Sequence, residues 1–440
     1  MSGRSAAMKV ALTTLGCKVN QYESAALREA LEARGHRMVP FGDIADCCIV
    51  NTCTVTSRAD FQSRQLIRRA NRSNPAAAVI VTGCCAQVSP DGIAGLPGVA
   101  AVVGNEEKSM IPEIISGAGN GECRVLVGDI LRIGRFSPFY AGRFADHTRA
   151  FLKIQDGCNA FCSYCIVPYA RGPSRSLPEA EVKRQIAILG RNGYREIVLT
   201  GIHLGVYGQD LDPRTDLLGI LKWVEKERPV ERLRLSSLEP TEVSDELIAL
   251  MAGTKVLCQH FHIPLQSGDD RILRLMNRHY DRAYFQERMA KIRAVLPDAS
   301  IGIDVLTGFP GESEREFDNT RSFIEEIPAT YLHVFPYSNR PGTPASELPG
   351  QVRSEEKKRR AALLREIGKR KHRIFLERFL GRPLSVLVEA KEEGGGRGFT
   401  ENYLPVSIDG GAGLGDNGIY RILADRYEGK RLVGRIVHHG

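Results

Sequence analysis

Three cysteines at C-x3-C-x2-C spacing, Cys158, Cys162 and Cys165, follow directly on the apolar run Ala150-Phe-Leu-Lys-Ile154. Cubane iron–sulfur clusters are normally held by four cysteine thiolates. A loop with three therefore leaves one iron open to a substrate or cofactor. A zinc site is the first alternative, but structural zinc takes four closed ligands, usually from paired knuckles, and no second knuckle lies nearby. Three buried thiols without a metal are the second. Intracellular cysteine clusters at fixed spacing are usually ligands. The rest of the chain must then place this loop at an accessible edge.

Upstream, short apolar runs alternate with helical segments. Val10-Ala-Leu-Thr-Thr14 leads to Gly16-Cys17, Cys47-Cys-Ile-Val-Asn-Thr52 to Cys53, and Ala78-Val-Ile-Val-Thr-Gly83 to Cys84, with Val99–Val103 as one more strand. Strand–helix alternation of this kind predicts an open parallel sheet with helices on its faces, over residues 8–118. Cys17, Cys53 and Cys84 each fall just past a strand's C-terminal end, the edge where open α/β sheets bind ligands. They converge on a metal there, or they are small buried residues at loop bases. Cys47, Cys48, Cys85, Cys123 and Cys258 show no such pattern and read as core or surface thiols.

A second α/β series runs over 144–376. Its strands are expected at Phe151–Ile154, Glu196–Thr200, Arg232–Ser236, His260–Pro264, Ile301–Leu306 and Leu332–Pro336, with helices between. Six strand–helix units fall short of the eight of a closed barrel, so an incomplete (β/α)6 barrel is expected, with the cysteine loop after its first strand. Thr200-Gly201, Ser237-Leu-Glu239, Gln266-Ser-Gly268 and Gly308-Phe-Pro-Gly311 should line the same mouth.

The formal net charge is +8, and residues 353–373 hold ten Lys/Arg against three Glu. So dense a run of one sign fits a polyanion such as RNA, though charge runs are also plain solvated helix faces. Lys357, Lys358, Arg359, Arg360, Lys369, Arg370 and Lys371 are the RNA-binding candidates. Residues 377–440 turn to short strands and glycine turns and predict a small antiparallel, OB-like β-barrel. No apolar run reaches membrane-spanning length, and the first eight residues lack the apolar core of a signal peptide. A cytoplasmic location without a membrane is expected.

The cysteine loop, with Tyr164 before its last cysteine, resembles the signature of radical S-adenosylmethionine enzymes. The whole chain resembles their methylthiotransferase family, through Gly-Cys17-Lys-Val-Asn, Asn-Thr-Cys53, Thr-Gly-Cys84 and the domain order ending in a TRAM-type barrel. The resemblance implies two 4Fe-4S clusters, one on Cys158, Cys162 and Cys165 and one on Cys17, Cys53 and Cys84, each with an open iron. The first cleaves S-adenosylmethionine to a radical, and the second carries the sulfur that is methylated and inserted. Cys85 stands where an aromatic residue is expected, which leaves Cys84 and Cys85 as rivals for one ligand position. S-adenosylmethionine contacts are expected at Tyr164, Thr200, Gly201, Ser237, Glu239 and Gln266.

Three stretches look most like the branch that modifies N6-threonylcarbamoyladenosine at position 37 of tRNA: Gly16–Glu23, His260–Ser267 and His333–Thr343. The carboxylate of that substrate favours a cationic pocket, for which Arg278 and Arg340 are candidates. The other branches act on isopentenyladenosine in tRNA or on a ribosomal protein aspartate. A cobalamin-binding radical enzyme would carry an Asp-x-His-x-x-Gly loop, which the sequence lacks, and a non-catalytic RNA-binding iron–sulfur protein is the remaining alternative. Besides tRNA, the family resemblance implies an electron donor such as flavodoxin or ferredoxin, and a sulfur donor.

Overall fold

The computed structural model describes residues 7–117, 122–145, 147–410 and 414–437. The first sheet is built from β1 (Lys9–Thr14), β2 (Arg37–Val39), β3 (Cys47–Thr52), β4 (Ala78–Gly83), β5 (Val99–Val103) and β6 (Arg124–Leu126), in the order β2-β1-β3-β4-β5-β6. Every pairing is parallel. β3 and β4 are buried at every position, as strands covered on both faces must be. Helices Lys18–Ala33 and Ser57–Ser73 follow β1 and β3. The sheet runs on to Leu126, past the boundary at 118 read from the sequence. Its outer strands, β2 and β6, are three residues each, too short to show an alternating pattern.

The second unit holds β7 (Ala150–Lys153), the two-residue pair β8 (Gln155–Asp156) and β9 (Arg175–Ser176), then β10 (Glu196–Thr200), β11 (Arg232–Leu235), β12 (His260–His262), β13 (Ser300–Thr307) and β14 (Tyr331–Pro336). Two parallel sheets, β11-β10-β7 and β12-β13-β14, are joined by a bridge between Leu233 and Leu257. Six parallel strands thus curve into an incomplete barrel. Helices cover its outside over an apolar core that includes Ile197, Leu199, Phe261, Ile303, Val305 and Phe323. Tyr22 and Ala26, on the first helix of the chain, belong to the same core, so the two units pack as one body.

Helix Ser354–Glu377 lies along β14 and buries Ala361, Leu364, Ile367 and Gly368. A Cβ at Gly368 would stand 3.1 Å from the Leu332 Cβ, which explains a glycine in so long a helix. It leads into a closed barrel of β15 (Pro383–Glu392), β16 (Gly395–Thr400), β17 (Pro405–Asp409), β18 (Ile419–Glu428) and β19 (Arg431–Ile436), in the order β15-β16-β17-β19-β18. Its seams are antiparallel except β17–β19, which is parallel, so the barrel is not wholly antiparallel. β16 contains glycines that the sequence assigns to a turn. A Cβ at Gly395 or Gly398 would stand 1.9 Å from a carbonyl oxygen of the neighbouring strand. Close strand approach, not turning, demands glycine there. The barrel docks through Arg232, whose Nη2 donates to Ser385 O at 2.8 Å, and Arg234, whose Nη1 donates to Glu401 O at 3.0 Å.

Candidate iron–sulfur site

Three strand ends of the first sheet place its cysteines. Cys17 caps helix Lys18–Ala33, Cys53 directly follows β3, and Cys84 opens the short helix Cys84–Val88 after β4. Two glycines let the loops close on one another. Gly16, at φ +106°, would put a Cβ 3.1 Å from Cys53 Sγ, and Gly83, at φ +95°, would put one 2.4 Å from Thr52 O. Asn20 ties the loops by donating to Leu15 O at 2.7 Å and to Thr52 O at 3.0 Å. Cys84 lies close enough to Cys17 and Cys53 to raise the proton affinity of both. Burial, with Cys84 and Cys17 adding to it, pushes Cys53 up to about 11. Cys85 is turned away: fully buried, its thiol donates to Asp60 Oδ1 at 2.9 Å.

The second triad sits after β8. Gly157, at φ +73°, would put a Cβ 2.0 Å from Pro173 O, so only glycine lets the chain turn into Cys158. Cys158 N–H donates to Gly172 O at 3.0 Å and Cys165 N–H to Cys162 O at 2.9 Å. The 275–277 segment braces the loop: Ser163 Oγ donates to Leu275 O at 2.7 Å, and Asn277 Nδ2 to Phe161 O at 3.1 Å. Arg278 Nη1 stands 3.2 Å from Cys162 Sγ, and His203 Nδ1 stands 3.5 Å from Cys158 Sγ. Burial, with Cys162 and Cys158 adding to it, pushes Cys165 up to about 12. Each triad brings three cysteine sulfurs to one strand-end edge, and as thiolates they are soft ligands for iron. Iron in a cubane with one open corner fits that donor set.

One short helix, Val167–Arg171, separates the two triads, and a buried polar network runs through it. Arg171 Nη1 donates to Glu23 Oε1 at 2.5 Å and its Nη2 to Asn20 Oδ1 at 2.5 Å. Lys108 also pairs with Glu23, and Lys153 Nζ stands 2.9 Å from both Glu23 and Asp156. Asn105 Nδ2 donates to Ala170 O at 2.7 Å and lies 3.9 Å from Cys84 Sγ. These residues tie the sheet edge to the barrel mouth. No local pattern in the sequence reveals them, because the partners lie up to 151 positions apart. His203 could have been found, three residues past the end of β10.

The expected S-adenosylmethionine contacts take varied positions. Thr200 is buried, and its carbonyl accepts from Ile154 N–H at 3.0 Å. Gly201 lies against Gln155, where a Cβ would meet Oε1 at 2.8 Å. Ser237 Oγ stands 2.5 Å from His262 Nδ1. Gln266, at φ +63°, bridges to Val305. Tyr164 packs against the cluster of Ile272, Met276, Leu306, Phe309 and Tyr337. Glu239 pairs with Arg278, and burial holds its carboxyl above the usual range. Arg278 is thus already neutralised, and Arg340 is buried with its Nη2 donating to Thr54 Oγ1 at 2.5 Å. Arg278 is spent on Glu239, whereas Arg340 meets a neutral hydroxyl and its Nε has no hydrogen-bond partner among the described residues.

The basic helix is largely ion-paired within the protein. Arg360 is buried, with Nη1 2.7 Å from Glu312 Oε2. Arg359 pairs with Glu314 and Glu356, Lys369 with Glu366, and Arg370 with Glu325. Lys371 Nζ donates to Glu325 O and Ile327 O, and Lys357 lies over the Tyr337 ring. Lys358 is exposed. A groove of about 750 Å³ opens between this helix, β14 and the terminal barrel, carrying Lys369, Arg370, Arg373 and Lys430 beside Phe335 and Tyr427.

Two family models match the chain: uncharacterised protein family UPF0004 over residues 9–104 and the radical SAM superfamily over 152–324. The structure of TsrM from Kitasatospora setae, a radical S-adenosylmethionine methyltransferase, superimposes with a TM-score of 0.58 at 16% identity, covering 78% of this chain and 77% of that one. Fold and site together define a radical S-adenosylmethionine enzyme. The chain is 41% identical to the threonylcarbamoyladenosine tRNA methylthiotransferase MtaB of Aquifex aeolicus, over 92% of this chain and 97% of the relative. The Bacillus subtilis protein of that name is 39% identical over 91% and 90%. The tRNA-2-methylthio-N(6)-dimethylallyladenosine synthase of Pelotomaculum thermopropionicum is 32% identical over 88% of each. The chain belongs to the radical S-adenosylmethionine methylthiotransferase family. Among the described residues, no helix is long and apolar enough to cross a membrane.

Proposed function

We propose that the chain replaces the hydrogen on carbon 2 of N6-threonylcarbamoyladenosine, at position 37 of tRNA, with a methylthio group. The observation that carries this reading is near-complete coverage of relatives so named at up to 41% identity. Two 4Fe-4S clusters and S-adenosylmethionine, when bound, supply the radical, the sulfur and the methyl group. Cys158, Cys162 and Cys165 hold one cluster, and Cys17, Cys53 and Cys84 the other. Cys84 is preferred to Cys85 because the Cys85 thiol is spent on Asp60. Tyr164, Gly201, Ser237, Glu239 and Gln266 orient S-adenosylmethionine at the barrel mouth, and Thr200 supports them from the core. Glu23 and Arg171 fix the spacing of the two cysteine sites. An electron donor of the flavodoxin or ferredoxin kind and a sulfur donor act with the chain.

The RNA is gripped by the groove between the basic helix and the terminal barrel. There Lys430 faces phosphates, Lys369, Arg370 and Arg373 turn to them by exchanging their weak, exposed pairs with Glu366, Glu325 and Glu377, and the exposed Phe335 ring serves for base stacking. Lys358 adds an exposed cation, whereas Arg359, Arg360 and Lys371 brace the helix. The test is mass spectrometry of tRNA nucleosides from cells with and without the gene. Loss should leave threonylcarbamoyladenosine without its methylthio group and spare any methylthio-isopentenyladenosine. Loss of the isopentenyl form instead would move the chain to the branch of its 32% identical relatives. Loss of a methylthio group from a ribosomal protein alone would reject the RNA reading.

A further inference from the structure

The lumen of the barrel holds a group of side chains that the iron–sulfur reading does not use. Residues alternate between the faces of a strand. Phe261, Ile303, Val305 and Val334 point outward into the core under the helices. His262, Asp304 and His333 therefore point inward, and the register sets Asp304 opposite His333 and His262 opposite Gly302. His262 Nε2 stands 3.0 Å from Asp304 Oδ1, and His333 Nδ1 stands 3.2 Å from the same oxygen. One ligand atom from each of the three lies within 4.8 Å of the other two.

Two features favour a cation over a plain hydrogen-bonded cluster. His262 Nε2 is buried and makes no well-formed hydrogen bond, although the carboxylate is 3.0 Å away. On the opposite side of that ring, Nδ1 is 2.5 Å from Ser237 Oγ. If Nδ1–H donates to Ser237, Nε2 carries the lone pair, as in metal sites where a ligating histidine donates its other nitrogen to a partner. The spacing admits such an ion as well as a hydrogen bond: ligands at about 2.0–2.1 Å from a tetrahedral zinc ion stand roughly 3.3 Å apart, close to both observed separations. The Tyr331 ring is nearly parallel to that of His262, at 2° and 6.2 Å between centroids.

We propose that His262, Asp304 and His333 form a binding site for a divalent cation of the zinc class, built without cysteine. Two imidazoles and one carboxylate are the donors such ions take. With three protein ligands the ion keeps an open position, on the side of His333, which is half-exposed.

The test uses holoprotein with its iron–sulfur clusters filled, dialysed anaerobically against micromolar zinc chloride. Elemental analysis should find about one zinc per chain in the wild type and none in His333→Ala or Asp304→Asn, with iron and sulfide unchanged. His333 is half-exposed, so H333A keeps the test open if D304N fails to fold. Zinc-edge X-ray absorption should show only nitrogen and oxygen neighbours at about 2.0–2.1 Å. Equal zinc uptake by wild type and H333A, or a sulfur shell at about 2.3 Å, would overturn the proposal.

Discussion

Replacing Glu23 by Gln should damage the protein more than replacing Arg171 by Met, although Arg171 is the larger buried side chain. Glu23 pairs with Lys108, Lys153 and Arg171, and Asp156 pairs with Lys153 and Arg171. Three buried cations thus share two carboxylates. E23Q leaves three cations facing one carboxylate, whereas R171M leaves two facing two. Removing one partner of a buried ion pair costs about 3–5 kcal/mol, because the remaining charge stays desolvated. That range applies to E23Q. R171M strands the acceptor of Asn20 and thins the bonds to Glu23, at about 1–3 kcal/mol. At about 1 °C per kcal/mol for a body of this size, scanning calorimetry of the anaerobic holoprotein should show E23Q melting roughly 3–5 °C lower and R171M a smaller loss. Iron content measured beforehand separates fold damage from cluster loss. If R171M fell as far as E23Q or further, charge balance would not be what holds the joint between the two cysteine sites.

The triple variant Cys17/Cys53/Cys84→Ala should keep about half its iron and still cleave S-adenosylmethionine without methylthiolation, whereas Cys158/Cys162/Cys165→Ala should form no 5'-deoxyadenosine; full iron retention in the first would reject its ligand set. Cys85→Ala should retain iron and activity, whereas Cys84→Ala should lose up to half its iron and its methylthiolation, read by iron analysis and tRNA nucleoside analysis. Reversing Lys369, Arg370, Arg373 and Lys430 to Glu should flatten the salt dependence of tRNA binding. A slope near −3 in log affinity against log salt, which is about sixtyfold weakening from about 50 to 200 mM for four phosphate contacts, should approach zero, and an unchanged slope would clear the groove of any role. Burial opposes ionisation of Glu23, but Arg171, Lys108 and Lys153 outweigh it and hold the carboxyl well below its usual range. Its stabilisation is therefore complete above the unfolded value near 4.5 and drains as pH falls toward the folded value. E23Q should show a shallower loss of stability below about pH 4.5 than the wild type, and parallel acid limbs would contradict the assignment.

The sequence by itself determined the order of strands and helices, the two parallel units, the small barrel and the six cysteines proposed as ligands. These are local signals: an apolar run, the glycine that ends it, a cysteine one step beyond. The lumen, the groove and the joint between the units were decided only by the tertiary structure. Glu23 and Arg171 are 148 positions apart, and no pattern along the chain reveals that they meet. His262, Asp304 and His333 come from three strands, and only the register of the sheet sets them on one face. The basic run shows the limit most clearly. Its composition fitted an RNA surface, yet Glu312, Glu314 and Glu325 from neighbouring elements neutralise much of it. Whether a charge is spent inside the protein or left for a partner depends on what packs against it, and that is a property of the fold.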